Sequence, residues 1–477
     1  MSKSFEQLVE TLEADMGDDV GREFVAIAAR YFAQSRASGR SVSTTRSPEA
    51  LMALFSGELP AHGEPLERVL ERIERDVVQE SNWLYHPRSM GHQVSAPLPA
   101  AVWTDVIVSA LNQSVAVQEM SPALTMVEHR LIRWLCSAAG FEEGSGTFTS
   151  GGTEATFTAL LAARAAALPR VWEDGLEGKL PVVLCGEHAH YAVTRAVAQL
   201  GLGLRRALLI GSADQRLDVG ALAARLQQLR REEVPVMAVV ATAGSTATGS
   251  FDDLDAIADL CDEHGVWLHV DGAHGATALL SGKHQASLAG IARARSLAWD
   301  PHKMMLLPLS AGVLLVRHAD DLERAFRQQA PYLFHQSERS WDQGGRSFQC
   351  SRRADALKLW VAVQRYGTDA FALLYDYFAE LARHLYTLLD AHDDFMPLHE
   401  PECNILCFRY TRGSPQSLDE KNLKLRTLYN TRGTGWITTT VLNGQRVLRV
   451  TLVNPRITRE HLDAMVEELA QVGRGLE

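Results

Sequence analysis

Cysteine is scarce: six residues in 477, with no Cys-x-x-Cys pair. That argues against a zinc ribbon or a thioredoxin-like motif. Several of the six sit inside apolar runs and read as small core residues of a reducing compartment. No run of residues approaches the ~20 apolar positions that cross a bilayer. The opening Met1-Ser2-Lys3-Ser4-Phe5-Glu6 is polar and soon acidic, without the apolar core of a signal peptide. The expectation is a soluble, cytoplasmic protein that does not meet a membrane. Positive charge is in deficit, 47 Lys and Arg against 58 Asp and Glu, for a net charge of −11. A nucleic-acid partner or an anionic membrane surface is disfavoured by that sign. There is no Walker pattern, no Gly-x-Gly-x-x-Gly, no internal repeat and no long linker.

Apolar material is ample, at 46% hydrophobic residues, and the length allows roughly three domain-sized units. Residues 1–85 read as a helical segment, with Phe24, Ile27, Ala28 and Tyr31 on one helix face. This segment shows little sign of its own sheet and is expected to pack on something else, such as a second subunit. Over 86–370, short apolar runs alternate with amphipathic helices: 180–185, 236–242, 266–270, 296–299 and 312–316 read as strands. Asp252 is the expected N-cap of a helix whose stripe is Leu254, Ile257, Ala258 and Cys261. The alternation predicts an α/β fold with a mostly parallel sheet covered on both faces. Over 371–477 the pattern becomes α+β. Asn404–Phe408 is a strand, Asn443-Gly444 turns a hairpin between 436–442 and 446–452, and 457–469 is a closing helix.

The chemistry concentrates where strands end, which is where such sheets bind ligands. Lys303, in Asp300-Pro301-His302-Lys303, follows one apolar strand and precedes an apolar run. A desolvated lysine amine is suited to forming an imine with a carbonyl cofactor. Asp271 ends the strand Val266–Val270 and could hold the protonated nitrogen of a pyridine ring; Ala273 leaves room for a flat ring. Together they have the layout of a pyridoxal phosphate site. Ser150, Gly152 and Thr153 stand before a long helical run, whose N-terminus supplies free N–H groups for a phosphate. His190 could stack on a ring; alternatively His188 and His190 could bind a metal with His269 or His274, although no carboxylate stands at a helpful spacing. Thr246 could donate to a cofactor oxygen or cap a turn. Arg352, Arg353 and Lys358 open a helix and read as ion pairs. Arg449 lies on an apolar strand and needs a carboxylate, from a substrate or from an internal Asp or Glu.

From about His86 onward the chain resembles the group II pyridoxal-phosphate-dependent amino-acid decarboxylases. The motifs carrying the resemblance are Asp271-Gly272-Ala273-His274-Gly275, Asp-Pro-His-Lys at 300–303 and Ala189-His190-Tyr191. It implies a fold-type I homodimer with the N-terminal segment wrapped over its partner. It implies pyridoxal 5′-phosphate as cofactor, Lys303 as the Schiff-base lysine, Asp271 as the pyridinium partner and His190 on the ring. Gly152 and Thr153 match the phosphate loop, and Thr246 and His302 further cofactor contacts. Arg449 matches a substrate-carboxylate position, and Gln93 and Asn112 match pocket-lining stretches. No metal is implied. The expected reaction is α-decarboxylation of an L-amino acid to its amine and CO2. One departure stands out: the stretch Phe334–Gly344, which matches a loop that carries a catalytic tyrosine in the family, contains none. Decarboxylation diverted to an aldehyde, or to transamination, is the alternative this raises. A homologue without catalysis, serving as a binding protein, is disfavoured because every expected cofactor contact is present.

Overall fold

The computed structural model describes residues 5–37, 39–326 and 341–476. Nine strands precede residue 320: β1 (Ser145–Thr149), β2 (Val182–Gly186), β3 (Ala207–Ile210), β4 (Ser212–Ala213), β5 (Arg216–Leu217), β6 (Val236–Thr242), β7 (Trp267–Asp271), β8 (Ser296–Trp299) and β9 (Gly312–Val316). Seven of them form one sheet in the order β1-β9-β8-β7-β6-β2-β3. The pairs from β3 through β8 are parallel, while β9 runs antiparallel to both β8 and β1. β4 and β5 form a small separate ribbon. The strands β2, β7, β8 and β9 are buried at every position, as expected for a sheet covered on both faces. The five runs expected as strands are all strands. β1 and β3 were not expected. β1 hides in the glycine-rich stretch before the phosphate-loop residues, and β3 is a four-residue, half-exposed edge strand.

Because β1 is antiparallel to β9, and β9 to β8, β1 runs in the same sense as β8. The C-terminal ends of β1, β2, β6, β7 and β8 therefore open on one edge of the sheet. This edge carries Ser150–Thr153, Glu187–Tyr191, Ala243–Thr246, Asp271–His274 and Asp300–Lys303.

The helix Leu254–His264 buries Leu254, Ile257, Ala258 and Cys261 as expected and ends on Gly265 in the left-handed conformation. Its N-cap is Asp253, whose carboxylate accepts the Ala256 N–H, and not Asp252. Asp252 instead accepts the backbone N–H groups of Leu217 and Thr242, at 2.8 and 2.7 Å. A buried carboxylate with two donors from neighbouring strands is held there more strongly than at an exposed helix end.

The long helix Ala356–Asp390 is interrupted at Gly367, where φ is 74° and ψ 168°. Its Phe371, Tyr375 and Phe378 join the core under the large sheet, while Leu381, Leu385 and Leu389 join a second core. That second core lies against a four-stranded antiparallel sheet, β10 (Phe395–Pro397), β11 (Ile405–Tyr410), β12 (Thr438–Leu442) and β13 (Gln445–Thr451), ordered β10-β11-β13-β12. β12 and β13 are the Asn443-Gly444 hairpin, with Asn443 and Gly444 both at positive φ. The final helix, Arg459–Arg474, closes this layer.

At the N-terminus, the helix Phe5–Asp15 buries no residue and Asp18–Gln34 buries only Ile27. Phe5, Leu12 and Met16 are 79%, 56% and 81% exposed, and Phe24 48%. These are large apolar groups with no cover in a single chain.

Candidate active site

The shared edge of the sheet encloses a cavity of about 450 Å³. Its walls include Lys303, Asp271, His190, Gly152, Thr153 and Thr246, together with Ser150, Ala273, His302 and Gln93. These residues span more than 200 positions of sequence and meet because each follows the end of a different strand or loop.

Lys303 enters from the turn after β8. Its Nζ stands 3.0 Å from Asp300 Oδ2, so the amine faces a carboxylate as well as the apolar run behind it. Asp300 is 1% exposed and acts as a hub. The same Oδ2 accepts the Gly152 N–H at 3.0 Å and lies 3.4 Å from His302 Nε2. His302 Nδ1 accepts the Ala311 N–H, which leaves the proton of the neutral ring on Nε2, towards Asp300. Burial holds the His302 ring below its ordinary pKa, against the opposing pull of Asp300. In the sequence Asp300 stands out only as part of the Asp-Pro-His-Lys motif. The i, i+3 spacing of Asp300 and Lys303 was the available signal.

Asp271 is 8% exposed and its Oδ1 accepts the Ala273 N–H at 3.2 Å. His190 accepts the Ala192 N–H on Nδ1. Burial lowers its pKa, partly countered by the negative charge of Asp271. Tyr191 and His274 line the cavity as well; the sequence offers no role for Tyr191 and, for His274, only the metal alternative. His274 is buried and bonded through Nε2 to Asn404 Oδ1 at 2.7 Å, and burial drives its pKa down to about 3. His188 bonds Ser212 and His269 bonds Ser296, so the histidines considered for a metal site have separate protein partners.

The helix Gly152–Ala167 begins at the cavity wall; its N-cap Gly151 offers no side chain, and of the first-turn N–H groups that of Gly152 is taken by Asp300. A Cβ on Gly152 would stand 2.9 Å from the Ala273 Cβ and 3.1 Å from Asp300 Oδ2, so only glycine lets the chain pass there. Gly244, at φ 83°, would bring a Cβ within 2.8 Å of the Gly275 nitrogen. Ser150 lines the cavity, but its N–H and hydroxyl both donate to Glu154.

Arg449, on β13, is not among the residues that line the cavity, although its charge acts on His274, which is. Its Nε donates to the Ala247 carbonyl and one Nη to the Gly91 carbonyl; Nη2 is buried without a hydrogen bond. It is 6% exposed and pairs with no Asp or Glu among the described residues. Gln93 Nε2 is likewise buried without a partner. Asn112 is not brought to the cavity. It is the exposed C-cap of the helix Pro99–Leu111, in the left-handed conformation (φ 45°), a place where asparagine is favoured for backbone reasons.

The basic residues at the start of the long helix are structural. Arg352 forms a bidentate buried pair with Glu128. Lys358 is fully buried, bonded to Asp355 at 2.8 Å and to the Pro308 and Ser310 carbonyls. It thereby braces the loop whose Leu309 reaches the cavity. Of the tyrosine-free stretch Phe334–Gly344, residues 334–340 lie outside the described residues.

Known proteins agree with this geometry. Residues 48–411 match the family model of the pyridoxal-dependent decarboxylase conserved domain. The chain is 31% identical to the acidic amino acid decarboxylase GADL1 of Bos taurus, covering 96% of this chain and 92% of that one. It is 32% identical to the cysteine sulfinic acid decarboxylase of Rattus norvegicus, covering 92% of each. The crystal structure of mouse CSAD superposes with a TM-score of 0.91 at 29% identity, over 98% of this chain and 99% of that one.

The cavity suits pyridoxal phosphate. A lysine amine, a carboxylate at a strand end, a helix N-terminus and an alanine flanked by glycine occupy one wall system. The chain belongs to the pyridoxal-dependent decarboxylases, and is a fold-type I enzyme, a carboxy-lyase acting on amino acids with pyridoxal 5′-phosphate as cofactor.

Proposed function

We propose that the enzyme removes the α-carboxylate of an acidic L-amino acid as CO2 and releases the corresponding amine. The observation that carries the reading is Arg449, a buried guanidinium with a free Nη2 and no Asp or Glu partner among the described residues, whose charge acts on His274 in the wall of the cavity that holds Lys303. A buried cation of this kind is costly unless a ligand supplies the countercharge. The unpartnered Nε2 of Gln93 adds a second donor for an oxyanion. The names of the relatives, acidic amino acid decarboxylase and cysteine sulfinic acid decarboxylase, support an acidic side chain.

When bound, the cofactor supplies an electron sink conjugated to the substrate α-carbon. The protein supplies position and charge. Lys303 would hold the cofactor through its amine, at the end of the cavity where the substrate amine must also reach. Asp271 keeps a proton on the ring nitrogen by offering a fixed negative charge. The N–H groups of the first turn after Gly152, with the Thr153 hydroxyl, hold the phosphate; Ser150 does so only when it releases Glu154. Thr246 and His302 would offer further donors to the cofactor, and Ala273 and His190 would pack against its ring. Arg449 and Gln93 would hold the substrate's side-chain carboxylate, which leaves the α-carboxylate free to be expelled. His190, with Nε2–H free to donate, would hold the water that returns a proton to the α-carbon.

The uncovered apolar residues of the N-terminal helices support a homodimer in which this segment, 1–85, lies on the partner. The large domain at 86–370 and the small domain at 371–477 then form the rest of each protomer. We also infer a cytoplasmic enzyme from the scattered, unpaired cysteines. No helix among the described residues is long and apolar enough to cross a membrane.

The test is a kcat/KM profile over acidic, basic and aromatic amino acids. Acidic substrates should lead by about 100-fold, the discrimination that a buried polar contact can give. A preference for a basic or aromatic amino acid would overturn the substrate class.

A further inference from the structure

A second cavity, of about 470 Å³, lies away from the sheet edge. It is built from four separate stretches. These are the chain after the helix Asp18–Gln34, the turn at 86–88, the turn after the helix Leu418–Thr431, and the start of the last helix. Five arginines line it: Arg36, Arg40, Arg88, Arg432 and Arg456. No aspartate or glutamate is among its lining residues. In a chain whose net charge is −11, the fold has gathered cations from distant positions, against their mutual repulsion.

Internal partners neutralise little of this charge. Arg88 pairs with Glu468, which also accepts the Thr434 hydroxyl. Arg40 donates to the neutral Gln79 side chain and its guanidinium stacks on Trp83, 3.7 Å from the ring centre. Arg36 donates to the Phe32 carbonyl. Arg432 and Arg456 form no ion pair among the described residues. The Nε atoms of Arg40 and Arg88 are buried without a hydrogen bond.

Two histidines complete the lining, His86 and His461. His86 Nδ1 accepts the Arg88 N–H, and His461 Nδ1 accepts the Thr458 N–H. Each neutral ring therefore keeps Nε2–H as its remaining donor. Burial, then Arg88, His461 and Arg456, bring the His86 pKa down to about 4, which matches a cationic enclosure.

We propose that this cavity binds a multiply charged phosphate anion, a free polyphosphate or the polyphosphate tail of a nucleotide. Guanidinium groups present paired donors that match phosphate oxygens. The unbalanced charge calls for a ligand carrying several negative charges, and the volume is in the range of small-molecule sites.

The test is titration calorimetry of the cofactor-loaded enzyme with pyrophosphate, in parallel with ATP and with citrate. Pyrophosphate should bind at one site per chain, more weakly as salt rises. The double substitution Arg432→Glu with Arg456→Glu should weaken it roughly 100-fold, the loss of two charge-assisted contacts. Both residues are exposed and free of ion pairs, so the variant should keep its melting temperature and its cofactor absorbance. ATP binding tighter than pyrophosphate assigns the site to a nucleotide; equal binding assigns it to the polyphosphate alone. Pyrophosphate affinity unchanged by the double substitution, no pyrophosphate binding, or citrate binding as tightly as pyrophosphate overturns the proposal. If the double variant fails to fold, Arg432→Gln with Arg456→Gln serves in its place, with the same expected loss in direction.

Discussion

The two cavities are close in volume, about 450 and 470 Å³, yet their charges are arranged in opposite ways. At the sheet edge the cation meets its opposite within the wall. Lys303 faces Asp300, and His302 and the Gly152 N–H converge on the same carboxylate. The arginine cavity has no carboxylate in its lining. Internal pairing holds side chains where chemistry needs them, at known distances and in fixed protonation states. Unpaired like charge leaves the balancing to a ligand. The stretch His86–Gln93 joins the two, since His86 lines one cavity and Gln93 the other. Arg449 belongs to the second kind of arrangement: it has no Asp or Glu partner among the described residues, which is why we propose that a substrate carboxylate meets it.

The largest effect expected is at the paired site. Lys303→Ala should abolish turnover and the visible absorbance band of the bound cofactor, read in an activity assay and a spectrum of the same preparation. Retained turnover would remove Lys303 from the reaction. Asp271→Asn keeps the shape of the site and removes its charge. It should lower kcat by roughly 10²–10³-fold, as removal of one preorganised electrostatic partner does, while cofactor remains bound.

Arg449 sharpens the contrast between cations with and without internal partners. Arg449→Met should cost about 2–4 kcal/mol of transition-state binding, seen in kcat/KM, yet leave the melting temperature level or raised. Arg352→Met, which breaks the buried pair with Glu128, should instead destabilise by about 3–5 kcal/mol in a denaturant titration. Equal losses of stability in the two variants would mean that Arg449 is structural.

The smallest effect expected is a dependence of stability on pH. His269 and His274 are buried, and burial lowers their pKa values to about 4 and about 3. The unfolded chain binds protons there near pH 6.5, and the folded chain does not. Stability is therefore full above that pH and is lost as pH falls towards the folded values, by roughly 2 kcal/mol per histidine between pH 6.5 and 5. Denaturant titrations of His269→Gln should show a shallower acid slope; an unchanged slope would argue against this origin.

The large sheet was legible because its central strands are short, continuously apolar and bounded by turn residues, a pattern that parallel burial imposes. β1 and β3 were not, since β1 is rich in threonine and glycine and β3 is an edge. The helix stripe Leu254–Cys261 was readable, but its cap was read one residue early, because only the tertiary structure gives Asp252 two strand N–H donors. Ten residues of the expected site line one cavity, since motifs after successive parallel strands must converge on one edge. Asp300 was missed because its importance lies in three partners from β1, β8 and their turns, which sequence does not juxtapose. Asn112 was misplaced for the converse reason: a helix C-cap and a ligand contact draw on the same residue type. The arginine cavity was illegible, as its five cations are spread over more than 400 positions.

The most direct measurement is the stoichiometry of products from the cofactor-loaded enzyme on its preferred acidic amino acid, with CO2, amine and dissolved oxygen followed together. The account predicts one amine for each CO2 and no oxygen consumed. An aldehyde or keto acid in place of the amine, with or without oxygen uptake, would contradict it.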